Sequence, residues 1–177
     1  MPRFDPATPL VHPLPGPERA EVRPAMAYAK ADGRELAMDL YLPSGPVPGS
    51  PVPAVLLVHG EAHPAVLRGV RYWGQYTGWG RLLAAEGLAG VMAEHRAVAE
   101  AGFDAVVAEV ASALAAVHDR AAELGVDPDR LAVAAGLPVE LVDLPDGHHA
   151  FDTVDDTDAS RDAIRRVLSF LRGHLTA

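Results

Sequence analysis

The sequence contains no cysteine. Disulfides, thiolate metal sites and thiol nucleophiles are thereby excluded together. Lysine occurs once, at Lys30, and 24 acidic residues outweigh 15 basic ones to leave a formal net charge of −9 at pH 7. That balance argues against a surface built to hold nucleic acid or an anionic membrane. Long apolar runs are also missing. None exceeds Ala54 to Val58, far short of the roughly 20 residues that cross a bilayer. The first 24 residues are interrupted by Pro2, Pro6, Pro9, Pro13, Pro15, Pro17 and Pro24, so no apolar leader helix is expected there.

What is present describes a cytoplasmic globular protein: 177 residues, 49% hydrophobic and 22% charged. A proline-rich arm at residues 1–24 is expected to precede a single domain at 25–177. Asp32-Gly33 predicts a tight hairpin between strands Ala25–Lys30 and Arg34–Leu42, because the turn needs residues that tolerate positive φ. Leu36, Met38, Leu40 and Leu42 alternate with Glu35, Ala37, Asp39 and Tyr41, which predicts one buried face. Ala54–Val58 is apolar throughout, as a central parallel strand covered on both sides would be. A helix is predicted over Trp79–Ala85 and a second buried strand over Leu88–Ala93. A long helix follows over Phe103–Leu124, with Val107, Val110, Leu114, Val117, Ala121 and Leu124 inward. Asp127-Pro128-Asp129-Arg130 reads as a turn before a strand at Leu131–Ala135. Val139–Leu144 reads as a further strand, and a closing helix runs from about Ser160 to Leu175, burying Ile164, Val167, Leu168 and Leu171. Alternating strands and helices predict an α/β fold with a mostly parallel sheet, flanking helices and an N-terminal antiparallel hairpin.

Four stretches, in order, resemble the α/β-hydrolases, in particular their dienelactone hydrolase and acyl-peptidase-like esterase branch. Ala54-Val55-Leu56-Leu57-Val58-His59-Gly60 resembles the strand that delivers the oxyanion loop. Trp79 to Ala89 resembles the helix and strand that follow it, and Gly125 to Val133 the approach to the nucleophile strand. Pro138 to Asp143, with Pro145-Asp146-Gly147-His148-His149-Ala150-Phe151, resembles the last strand and catalytic-histidine loop. The resemblance implies a hydrolase of carboxylic esters or lactones that needs no cofactor. It implies His149 as the catalytic base and His59, Gly60 and Glu61 as the oxyanion loop.

That chemistry also needs a serine on a strained turn, usually within G-x-S-x-G, and an acid that orients the histidine. Neither segment is found. Ser44, Ser50, Ser112, Ser160 and Ser169 all lie outside such a setting. The fold expected is therefore a truncated α/β-hydrolase without its nucleophile elbow. Only Gly136-Leu137-Pro138 separate the last two predicted strands, too few for a parallel crossover. One kinked continuous strand is the favoured arrangement; a tight hairpin and exchange between protomers are the others.

Each candidate carries a plainer reading as well. His149 is either a base or a solvent-facing loop histidine, and His148 reads as exposed. Glu61 stands where the family has a second glycine, placing a carboxylate where negative charge would develop. Asp143, Asp146, His148, His149, Asp152, Asp155, Asp156 and Asp158 form an acidic loop that fits no metal motif, so no metal is assigned. Tyr72, Trp73, Tyr76 and Trp79 either floor a small apolar pocket or anchor their loop. Three activities follow: a family fold without serine turnover, a pseudoenzyme that self-associates through an exposed sheet edge, or a hydrolase using the Asp/His loop. The partner expected is a small ester or lactone.

Overall fold

Asp32 and Gly33 adopt φ of 48° and 81°, the pair of positive values that a type I′ hairpin demands. They join β1 (Ala20–Ala31) to β2 (Arg34–Pro43) in antiparallel register. The computed structural model describes residues 5–13, 16, 20–44, 50–134, 147–148 and 151–176. β1 starts before the predicted Ala25 because Pro24 sits at a register shift between Arg23 and Met26, where an edge strand tolerates a missing N–H.

Among the described residues three further strands join β1 and β2 in a mixed sheet, in the order β1-β2-β4-β3-β5. They are β3 (Val52–Val58), β4 (Ala89–Ala93) and β5 (Val126–Ala134). β3 pairs in parallel with β4 on one side and β5 on the other, while β4 meets β2 antiparallel. Parallel neighbours require helical crossovers. Between β3 and β4 these are α1 (Pro64–Leu67), a single 3-10 turn at Val70–Tyr72, and α2 (Gly74–Ala85). Between β4 and β5 they are α3 (Val98–Ala101), α4 (Phe103–Asp119) and α5 (Ala121–Leu124). α6 (Phe151–Val154) and α7 (Asp158–Leu175) follow.

The alternation within each strand divides the core into two layers. Val55, Leu57 and Met92 pack with α2 and α7 residues such as Leu83, Ile164 and Leu168. Leu40, Leu56 and Val91 pack on the opposite face with Ala113, Val117 and Leu124. β2 is thus covered on both faces from Leu36 to Leu42, and Asp39 is only 2% exposed. The predicted polar face of this strand is corrected accordingly. α2 crosses β2 and β4 at glycines: a Cβ on Gly80 would lie 2.5 Å from the Tyr41 ring, and one on Gly90 2.9 Å from the Gly80 Cα. The arm packs here too, since the Gly74 amide donates to the Pro6 carbonyl at 2.8 Å and Leu10 is buried.

Three expectations need adjustment. The long helix breaks at Arg120, and its inward face holds Val106, Glu109, Ala113 and Val117, whereas Val107 is exposed. Glu109 turns inward because it accepts from Arg96, through the backbone N–H at 2.8 Å and Nε at 2.5 Å. Asp127–Arg130 belongs to β5 as a bulge, as the register passes from Val52–Val126 to Ala54–Leu131. Val167 on α7 is half-exposed rather than buried. The predicted strand Val139–Leu144 and the Gly136–Pro138 junction lie outside the described residues.

Candidate functional site

β3 and β4 run parallel, so their C-terminal ends open on the same side of the sheet, and each is followed by a histidine. The His59 and His95 rings stack with centroids 3.6 Å apart and planes 14° from parallel. The His95 amide donates to His59 Nε2 at 3.2 Å. The His95 carbonyl oxygen lies at the same 3.2 Å from Nε2, and the Gly60 carbonyl oxygen 2.9 Å from Nδ1. In return His95 Nε2 lies 3.1 Å from the His59 carbonyl oxygen. Both rings are buried. Burial, reinforced by the neighbouring His95, pushes the His59 imidazole down to about 4 despite its hydrogen bonds to carbonyls. His59 is therefore a neutral clasp between two strand ends.

Glu61 points its carboxylate at the start of α3. Its two oxygens lie 3.1 and 3.0 Å from the Val98 amide that donates to them, which satisfies an orphan donor of that helix. Gly60 is exposed, and a Cβ there would meet nothing within 4 Å. Burial pushes the Tyr76 phenol up to about 12, a rise that the Gly60 backbone partly counters.

Beside these groups lies a cleft of about 640 Å³, within the ordinary size range of small-molecule sites. Leu57 and Val58 of β3 line it, with Tyr76, Trp79 and Leu83 of α2, Val167 and Leu171 of α7, and Ala134 at the end of β5. Of the four aromatic residues singled out in the sequence, Trp73, Tyr76 and Trp79 line this cleft. Tyr72 is 62% exposed, with the Arg71 guanidinium 5.0 Å above its ring. A larger groove of about 920 Å³ lies along α7 near Leu82, Arg165 and Arg172. Its charges pair locally, Arg172 with Glu86 at 2.7 Å and Arg165 with Asp162 at 2.9 Å, and it lies away from the strand ends.

A polar cluster absent from the sequence reading fixes the cleft wall. Asp152 on α6 is buried and accepts from Gln75 Nε2 at 2.9 and 3.0 Å and from Trp79 Nε1 at 2.9 Å. Its carbonyl accepts from the Val11 amide at 2.8 Å. Asp152→Ala is expected to leave the indole and amide donors without their acceptor and to cost about 1–3 kcal/mol. Urea unfolding followed by far-UV circular dichroism measures that loss, and an unchanged midpoint would refute the latch.

His149 lies outside the described residues. His148 is exposed, with its amide 2.7 Å and its Nδ1 2.9 Å from the Asp155 carboxylate. The Asp155 carboxyl is lowered chiefly by that amide bond. Asp156 pairs with Arg161, and Asp158 begins α7. Asp143 and Asp146 lie outside the described residues. Among the described residues no three His, Cys, Asp or Glu side chains converge as metal ligands. All five serines are described. Ser44, Ser50, Ser112 and Ser169 are exposed, and Ser112 donates to the Ala108 carbonyl at 2.8 Å. Ser160 is buried within the α7 cap, where its amide donates to Thr157 Oγ1 at 3.1 Å. None of the five lines the cleft.

Among solved structures, a thermophilic esterase from the Planctomycetes species Thermogutta terrifontis is 26% identical over 65% of this chain and 39% of its own, with a TM-score of 0.48. Esterase Est22 is 22% identical over 64% of this chain and 34% of its own, also with a TM-score of 0.48. The chain therefore spans little more than a third of the length of these esterases. Comparison with curated proteins gives no match. The model of the BD-FAE family matches residues 38–137, more than half of the chain. The chain belongs to the BD-FAE family of α/β-hydrolase esterases.

Proposed function

We propose that this chain keeps the ligand cleft of a carboxylic ester or lactone hydrolase, of the dienelactone hydrolase and acyl-peptidase-like branch, without serine-hydrolase turnover. The observation that carries this reading is the placement of the five serines, four on the exposed surface and one within a helix cap. Acyl transfer needs a hydroxyl held within hydrogen-bond reach of a base and beside an oxyanion site. At the cleft, the Glu61 carboxylate is engaged by the Val98 amide at the start of α3. A fluorophosphonate probe is expected to label the chain no more than a heat-killed control. Labelling mapped by mass spectrometry to any one of the five serines would overturn the reading.

One observation favours an added role in self-association. β5 ends the sheet, paired with β3 on one side and, among the described residues, with no strand on the other. Val133 on this strand is 43% exposed. Such an edge is a template for strand pairing with a second copy. Light scattering at micromolar concentration is expected to give a dimer mass, and a clean monomer counts against this role.

A further inference from the structure

We infer that the cleft selects an uncharged carbonyl compound with an apolar body and turns away the matching carboxylate, an inference that rests on reading the cleft as an ester or lactone site. The walls supply the first half of the argument. Leu57, Trp73, Trp79, Leu83, Val167 and Leu171 offer apolar surface to a guest, with few polar groups among them.

Charge supplies the second half. The ionisable side chains that line the cleft are His59, Glu61 and Tyr76. His59 is held neutral by burial and Tyr76 is an un-ionised phenol, so among the described lining residues Glu61 carries the one full charge, and it is negative. Behind the wall sits a second carboxylate, Asp152, bonded to the cleft residues Gln75 and Trp79. No lysine or arginine is among the described lining residues. A carboxylate entering this space would shed its water, find no cation and face two like charges.

A neutral carbonyl meets no such penalty. Tyr76 lines the cleft as an un-ionised phenol, whose O–H can donate a hydrogen bond. A ligand carbonyl oxygen accepts it at the cleft mouth. A hydrogen bond to a neutral acceptor suits this donor, and no counter-charge is required.

The two tryptophans of the chain, Trp73 and Trp79, both line the cleft, so intrinsic emission reports occupancy directly. The test titrates the intact chain at pH 8 with 5-phenylpentan-2-one and with 4-phenylbutyrate, which share a carbon frame and differ in charge. The ketone is expected to change the emission saturably, with a dissociation constant at least about tenfold below that of the carboxylate. Equal or tighter carboxylate binding overturns the charge selection and leaves the cleft reading standing. No response to either compound overturns both. Val167→Arg, at a half-exposed position on the cleft rim, is expected to narrow or reverse the preference. An unchanged ratio in that variant rejects the electrostatic basis.

Discussion

Arg71→Met is expected to remove about 3–5 kcal/mol of stability, because it leaves the buried Asp39 carboxylate without its cation and takes from Glu94 the nearer of its two arginines. The Arg71 side chain is 8% exposed, that of Asp39 3% and that of Glu94 15%. One guanidinium nitrogen pairs with Asp39, and Nε donates to Glu94 at 3.1 Å. Burial opposes the Arg71 charge, yet Asp39 and Glu94 together hold the guanidinium above its ordinary value. Asp39 also accepts from the Ala25 amide at 2.7 Å, where Ala25 takes a positive φ of 54° at the bulge of β1. Without Arg71, Asp39 would remain buried against that single amide. A domain of this kind is stabilised by only about 5–15 kcal/mol in total, so the variant sits near the folding threshold. Urea unfolding measures the loss as a fall in midpoint. Arg71→Met combined with Asp39→Asn should recover part of it, since the amide keeps the Ala25 bond and carries no charge. If the double variant is less stable than Arg71→Met alone, the buried charge is not what costs the single variant its stability.

Local patterns carried much of the fold. Asp32-Gly33 predicted the hairpin because the turn's demand for positive φ falls on the two residues that occupy it. The apolar run Ala54–Val58 predicted a doubly covered parallel strand, and β3 has neighbours and helices accordingly. Tyr76 and Trp79 lie three apart on one side of α2, with Trp73 at its N-cap, and all three line the cleft. The buried charges were not legible, because their partners are remote in sequence. Asp39 lies 32 residues from Arg71, and Asp152 lies 77 from Gln75. Asp39 therefore fell on the side of the strand opposite the predicted buried face, and Glu109 outside the inward set of the predicted helix. Neither reading had access to the arginine that makes the interior tolerable for a carboxylate. His95 passed unremarked for a similar reason. Its role depends on a ring 36 residues away, brought into contact only when β3 and β4 align.

Wild-type stability is expected to fall by about 3 kcal/mol between pH 6.5 and pH 4 through His59 alone. In the unfolded chain an imidazole takes its proton near 6.5, whereas the folded ring resists until about 4, first because it is buried and then because His95 faces it. Above 6.5 both states are neutral at this site and no penalty exists. As pH falls below 6.5 the unfolded state binds a proton that the folded state refuses, so the equilibrium moves toward unfolding. Below about 4 both states are protonated and the loss levels off. The geometry accounts for the refusal: the ring is buried and stacked 3.6 Å from the His95 ring, where a second proton is poorly solvated. Urea midpoints taken from pH 7 to pH 4 should fall more steeply for the wild type than for His59→Gln, by up to about 1.4 kcal/mol per pH unit. The variant starts lower at pH 7, having lost the stacked ring, so the slopes and not the absolute values decide. Proton NMR gives an independent reading, since the His59 ring resonance, identified by its loss in the variant, should stay unmoved until the pH approaches 4. A midpoint near 6.5 for that resonance, or parallel stability curves for the two proteins, would mean that the clasp between β3 and β4 admits a proton freely and does not hold these strand ends in the way their contacts imply.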